Sequence, residues 1–221
     1  MISHTYHCVF IHIPKTAGSS IEHKLGADIT TRRNRQDHRS VRHIEPLGPN
    51  GYRELLRAGD WDTLYRRLKY ALQAKSYLTP AQYQTYFKFT FVRNPWARVH
   101  SWYKNVLKDP LHQRELGVPP NCPFPVFVEK YLDCWALQPQ LTWLYNHQYQ
   151  ITLDFIGRFE NLDADFAIVA QRIGLKDAAL PHLVRSGGRS YRQAYDDRSR
   201  DRVAQRYAEE IARFGYTFEN G

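Results

Sequence analysis

Residues 6–13 are almost continuously apolar, β-branched or aromatic, the pattern of an inner strand of a parallel sheet. Pro14 offers no N–H to a ladder and ends that strand. A polar stretch, Lys15-Thr16-Ala17-Gly18-Ser19-Ser20, follows. Ile21 and Leu25, four apart, then open a helix that Ser19 or Ser20 can cap. Residues 46–51 read as a turn. From 60 to 74, Trp61, Leu64, Tyr65, Leu68 and Leu72 recur at helical steps, with Asp60 as N-cap. Thr79-Pro80 starts a short helix. Phe87, Phe89 and Phe91 alternate as in a second strand, and Asn94-Pro95 opens a helix with Val99, Tyr103 and Val106 on one side.

Beyond that the pattern predicts a Pro-rich loop over 107–125 and a short helix over 126–132. Another helix starts near 138–144. A strand and turn cover 153–162, and a helix with Phe166, Val169 and Ile173 ends at Gly174. Residues 180–195 form a basic, Gly-containing loop. A final helix, capped by Asp197 or Ser199, carries Val203, Tyr207, Ile211 and Phe214. Strands alternating with helices predict a single α/β domain over 1–221: a mostly parallel sheet with helices on both faces.

The 221 residues suit one domain with a full core. A net charge of +9 favours an anionic ligand. No stretch matches a helix-turn-helix, zinc-finger or RNA-binding signature, so nucleic acid is not the expected partner. Cys8, Cys122 and Cys134 fit no metal or redox spacing, and reduced thiols follow. No carboxylate or histidine cluster has metal-ligand spacing, so no essential metal is expected. No signal peptide or bilayer-spanning run is visible, and a soluble cytoplasmic protein is the expectation.

The candidate chemistry lies at two strand ends. A strand–loop–helix with Lys15 in the loop suits a phosphate: backbone N–H groups and the helix dipole favour the anion, and lysine adds a full charge. Gly18 lets backbone approach the ligand closely. The order is not G-x-x-x-x-G-K-[ST], since Lys15 precedes Gly18, and an ATPase or GTPase is disfavoured. Arg93 stands at the carboxyl end of the second strand, and Ser101 lies two turns into the next helix. An arginine fork and a hydroxyl converging there suit a phosphate monoester. The segment 30–43 is strongly basic and contains His38 and His43. A histidine near a phosphate loop can take a hydroxyl proton at neutral pH. His38 is the first choice and His43 the competitor.

Pro14-Lys15-Thr16-Ala17-Gly18-Ser19-Ser20 resembles the loop that binds the 5′-phosphosulfate of 3′-phosphoadenosine 5′-phosphosulfate (PAPS) in sulfotransferases. Arg93-Asn94-Pro95 followed by Ser101 resembles the 3′-phosphate motif of the same family, and Gly157-Arg158-Phe159-Glu160-Asn161-Leu162 a later family segment. The resemblance runs from Phe10 to Phe218 and is of the soluble, bacterial, carbohydrate-sulfotransferase-like type. It implies a fold similar to nucleotide kinases and transfer of a sulfuryl group from PAPS to a hydroxyl, less readily an amine, with release of adenosine 3′,5′-bisphosphate (PAP). It implies Lys15 at the 5′-phosphosulfate, with Pro14, Thr16, Ala17, Gly18, Ser19 and Ser20 around it. Arg93 and Ser101 would hold the 3′-phosphate, and His38, within Asp37-His38-Arg39-Ser40, would be the base. Arg189 and Tyr191 are the choices in a late basic lid. Glu160 is expected to brace loops. The acceptor, a saccharide or a small molecule, has no readable code. A small-molecule kinase needing Mg2+ and a non-catalytic polyanion binder are the alternatives.

Overall fold

The computed structural model describes residues 1–26, 36–73, 75–181 and 191–220. In chain order the elements are β1 (Ile2–Ser3), β2 (Cys8–Ile11), α1 (Gly18–Lys24), α2 (Val41–Ile44), α3 (Pro49–Ala58), α4 (Trp61–Leu72), α5 (Pro80–Thr85) and β3 (Phe87–Val92). Then come α6 (Pro95–Lys108), α7 (Pro110–Leu116), α8 (Phe124–Tyr131), α9 (Leu141–Leu144), β4 (Phe155–Arg158), α10 (Leu162–Arg172), α11 (Asp197–Arg206) and α12 (Ala208–Phe214). The sheet runs in the order β1-β2-β3-β4. The β1–β2 pair is antiparallel, and β2–β3 and β3–β4 are parallel, with Phe10 opposite Phe89 and Phe91 opposite Gly157. The fold is α/β, with a mostly parallel sheet flanked by helices.

Alternation along the strands explains why both faces are covered. Cys8, Phe10, Phe89 and Phe91 point to one side and pack with Ile21 and Leu25 of α1 and Phe166 and Val169 of α10. Val9, Ile11 and Val92 point to the other, against Trp96, Val99 and Val106 of α6, Phe127 of α8 and Val203 of α11. Gly157 is needed where β4 crosses Phe91: a Cβ there would lie 2.5 Å from the ring. All three cysteines are free thiols.

Several expected boundaries hold and several move. Asp60 caps α4 by accepting from the Thr63 amide, and Thr79 caps α5 in a reciprocal pair with Gln82. Asn94 caps α6 through the Trp96 and Ala97 amides. The turn expected at 46–51 instead ends in α3, because Pro49 takes the first helical position after Gly48. The 107–125 loop is mostly helix: α6 continues to Lys108, and Asp109 caps α7. The final helix is capped by Asp196, not Asp197 or Ser199, and it breaks at Tyr207 into α11 and α12. The largest departure concerns α4. Its buried side is Thr63 and Arg67, and of the apolar stripe read from the sequence Leu64 is half-buried while Trp61, Tyr65, Leu68 and Leu72 face outward.

Candidate active site

β2 and β3 end side by side, so the segments that follow them meet at one edge of the sheet. There a cavity of about 920 Å³ opens. Pro14, Lys15, Ala17, Gly18, Ser19 and Ser20 line it, as do Arg93, Ser101 and His38. Residues 15 and 93 thus share one site although 78 positions separate them.

The loop after β2 is tight. Lys15 and Ala17 both sit in the left-handed region, at φ 71° and 68°. Such a conformation costs a side-chain-bearing residue about 1–2 kcal/mol, so the surroundings must hold it. Thr16 between them turns its hydroxyl inward to the Ile13 carbonyl at 2.9 Å and is fully buried. The residue therefore does not line the cavity, unlike Lys15 and Ala17 on either side of it. Ala17, not a serine, occupies the N-cap of α1, with no side-chain cap. Ser19 and Ser20 lie in the first turn, on the cavity wall. Gly18 packs directly on His12; a Cβ there would sit 1.9 Å from the imidazole Cδ2.

Two cations dominate this end. The Lys15 ammonium donates to Asn105 Oδ1 at 3.2 Å. Burial, aided by Arg93 and Lys108, pushes it down to about 8. Arg93 donates from Nη1 to the Lys15 carbonyl at 3.1 Å and stacks 3.8 Å above the centre of Phe159. Burial holds its guanidinium near 10, with Arg98 acting in the same direction and Glu160 against it. Arg93 Nε has no hydrogen-bond partner among the described residues. Buried cations this poorly matched by protein carboxylates are ready for an anion. Arg93 is held firmly from behind: its amide donates to Gln140 Oε1 and its carbonyl accepts from Gln140 Nε2. Glu160 accepts from the Asn94 amide at 2.7 Å and from the Tyr216 hydroxyl at 3.1 Å, the bracing role expected of it.

His38 forms another part of the wall. Its Nδ1 lies 3.0 Å from the His12 carbonyl, and its Nε2 contacts the Gln36 amide at 3.1 Å. A carbonyl only accepts, so Nδ1 carries the proton. Burial, then His12, drives the ring down to about 3, so it is neutral and Nε2 holds the lone pair. The other end of Gln36 lies 2.6 Å from Ser19 Oγ. The two ends of a glutamine amide are alike in shape, and this logic sets the NH2 against Nε2 and the oxygen against the Ser19 hydroxyl. His43 is elsewhere. It brackets the start of α2, with Nδ1 2.8 Å from Ser40 Oγ, and does not line the cavity.

Some residues of the site were not singled out in the sequence. The His12 ring lies 4.2 Å from that of His38, and its Nδ1 is 3.0 Å from Glu22 Oε1. Glu22 also accepts from the Asp37 amide, which fixes the entry to His38. The signal for His12 was present: with His7 it is one of two histidines in the apolar stretch 6–13, and it stands just past the end of β2. Trp135 meets His38 edge-on at 5.5 Å and Trp102 at 6.0 Å. Arg98 is fully buried and donates to the carbonyls of Pro14, Ala136 and Gln138. Arg39 leaves the basic segment for the interior, where it forks onto Asp37. Tyr191, expected in a lid, is instead buried among Tyr195 and Phe218, and its hydroxyl donates to the Phe218 carbonyl. Arg189 lies outside the described residues, as do Arg32, Arg33 and Arg35. Among the described residues no group of three or more His, Cys, Asp or Glu could hold a metal ion, and no helix is long and apolar enough to cross a membrane.

Comparison with known proteins places this geometry. An uncharacterised protein of Archaeoglobus fulgidus is 38% identical over 93 residues, which cover 42% of this chain and 71% of the relative. No solved structure matches. The model of the Sulfotransferase family matches residues 1–217, and the chain belongs to that family.

Proposed function

We propose that this protein moves a sulfuryl group from PAPS to an acceptor hydroxyl and releases PAP. The observation that carries the reading is the convergence of Lys15, of Arg93 with Ser101, and of neutral His38 on one cavity. In this reading the loop backbone, Ser19 and Ser20 hold the 5′-phosphosulfate. Lys15 offsets charge on the bridging oxygen as the S–O bond breaks. Arg93 and Ser101 hold the 3′-phosphate. The negative charge of the bound donor raises the basicity of His38, whose Nε2 then takes the acceptor proton as its oxygen attacks sulfur in line. Positioning and charge stabilisation supply most of the rate, as in phosphoryl transfer.

Gln36 covers the Nε2 lone pair, so it must swing aside before His38 can act. A phosphate competing for the Ser19 hydroxyl would loosen the other end of the same amide. Trp135 beside His38, backed by the buried Trp102, gives the acceptor side an apolar aromatic wall, which suits a ring-bearing acceptor such as a saccharide.

The test is calorimetric binding of PAP against ADP, with and without Mg2+, followed by transfer from labelled PAPS. Metal-independent preference for PAP is expected. Preference for ADP with Mg2+ would move the protein to the kinases. Binding of neither would overturn the catalytic reading.

A further inference from the structure

Helix α4 is amphipathic the wrong way round for a helix packed on a core. Its inner side is polar: Arg67 is buried and donates to the carbonyls of Arg42 and Glu45, and Thr63 closes the cap with Asp60. Its outer side carries Trp61, Tyr65, Leu68 and Leu72, which are 65%, 64%, 61% and 79% exposed. The spacing of 61, 65, 68 and 72 makes these one continuous stripe. Helix α3 packs against α4 and adds Tyr52 and Leu56, also exposed. The continuous part is the four-residue stripe of α4, since Tyr52 stacks on the inward-facing Arg67, and an exposed apolar stripe of this length marks an interaction site.

The charges on the two helices select the occupant. Arg53, Arg57, Arg66 and Lys69 are exposed, against Glu54 and Asp62, and Asp62 is already paired with Arg66. A second copy would set this surface against itself in a two-fold contact, so a net positive face would meet a net positive face. An anionic bilayer answers both features. Leucines enter the acyl boundary, tryptophan and tyrosine rest at headgroup level, and arginine and lysine reach the lipid phosphates. We propose that the α3–α4 face docks this protein onto an anionic membrane surface. Lys69, Tyr70 and Gln73 of the same helical region line the cavity. The proposal concerns binding and does not depend on the transfer reaction.

The experiment is co-sedimentation of the full chain with vesicles of phosphatidylcholine alone or with about 30% phosphatidylglycerol, alongside light scattering without lipid. Expected is at least about tenfold tighter binding to the anionic vesicles, weakened by salt. A Leu68→Ser, Leu72→Ser double variant should lose about tenfold or more while its thermal melting is unchanged, since both side chains are exposed. Failure to bind anionic vesicles overturns the proposal. If the chain dimerises and the double variant is monomeric, the face is a self-contact and the proposal is overturned. Vesicle binding that the double variant retains would be general attraction of a basic protein, and would equally overturn it.

Discussion

Lys15 carries the charge on which the proposed donor site depends, and it is held only partly charged in mildly alkaline solution. Burial is the main cause, with Arg93 and Lys108 behind it, and together they bring the ammonium from 10.5 to about 8. An anionic ligand favours the charged form, so binding raises that value and takes up a proton wherever the free protein has lost one. The affinity for PAP is therefore full below about pH 8 and weakens as the pH rises through it. If only the ammonium form binds, the apparent Kd grows as 1 + 10^(pH − 8). Between pH 7 and 9 the loss is about tenfold, or about 1.4 kcal/mol. The ligand's phosphates are ionised throughout, with a second pKa of about 6. Arg93, held near 10, stays largely charged over the same interval. Calorimetry at pH 7, 8 and 9, in two buffers of different ionisation enthalpy, reads both affinity and proton uptake. Uptake should be about half a proton at pH 8 and about 0.9 at pH 9. Lys15→Arg, whose guanidinium does not titrate here, should flatten both curves. A wild-type affinity unchanged from pH 7 to 9, or a slope that survives in Lys15→Arg, would refute the reasoning.

His38→Asn should bind PAP within about threefold of the wild type yet lose about 10²–10⁴ in transfer, read by calorimetry and by labelled sulfate. Intact activity would assign the base elsewhere, with His12 the nearest candidate. Gly18→Ala forces the loop or the His12 imidazole to move, because its Cβ would lie 1.9 Å from that ring; the fold should lose about 1–3 kcal/mol and PAP affinity about tenfold or more, measured where the variant is still folded, and an unaltered affinity would contradict the loop's role. His43 is pushed down to about 4, first by burial and then by Arg66, so below about pH 6.5 the unfolded chain takes up a proton that the folded one refuses. That histidine removes stability as the pH falls from 6.5 to about 4, by at most about 1.4 kcal/mol per pH unit. Urea unfolding at pH 7, 6 and 5 should show a shallower loss in His43→Asn, and identical slopes would remove His43 from the account.

The parts of the fold that could be read from sequence are those in which local chemistry and tertiary demand agree. Phe87, Phe89 and Phe91 alternate because one face of β3 meets α1 and α10. Asn94-Pro95 starts α6 because a capping side chain and a fixed φ both serve a first turn. The strand–loop–helix order around Lys15 was legible, but not its backbone shape: Lys15 and Ala17, not Gly18, take the left-handed conformation, and Ala17 stands where a serine cap was expected. What stayed hidden depends on partners far away in the chain. The stripe of α4 has the periodicity of a buried face, and periodicity alone does not say which side is outside. Tyr191 reads as a flexible basic loop, yet it is claimed by Tyr195 and Phe218. Glu22 and Gln36 reach the site only because α1 and the entry to α2 come together over the end of β2. Trp135 had no local signal, being one aromatic among many.

Arg98 has a consequence for the transfer step itself. One planar group grips Pro14, where the donor loop begins, and the carbonyls of residues 136 and 138, beside Trp135 on the opposite wall. The span between those walls is thereby set by the length of a guanidinium instead of by a hinge. In the proposed reaction, this places the loop of Lys15 and the wall of Trp135 on one spacer, and the interval that the attacking oxygen crosses is gauged by it.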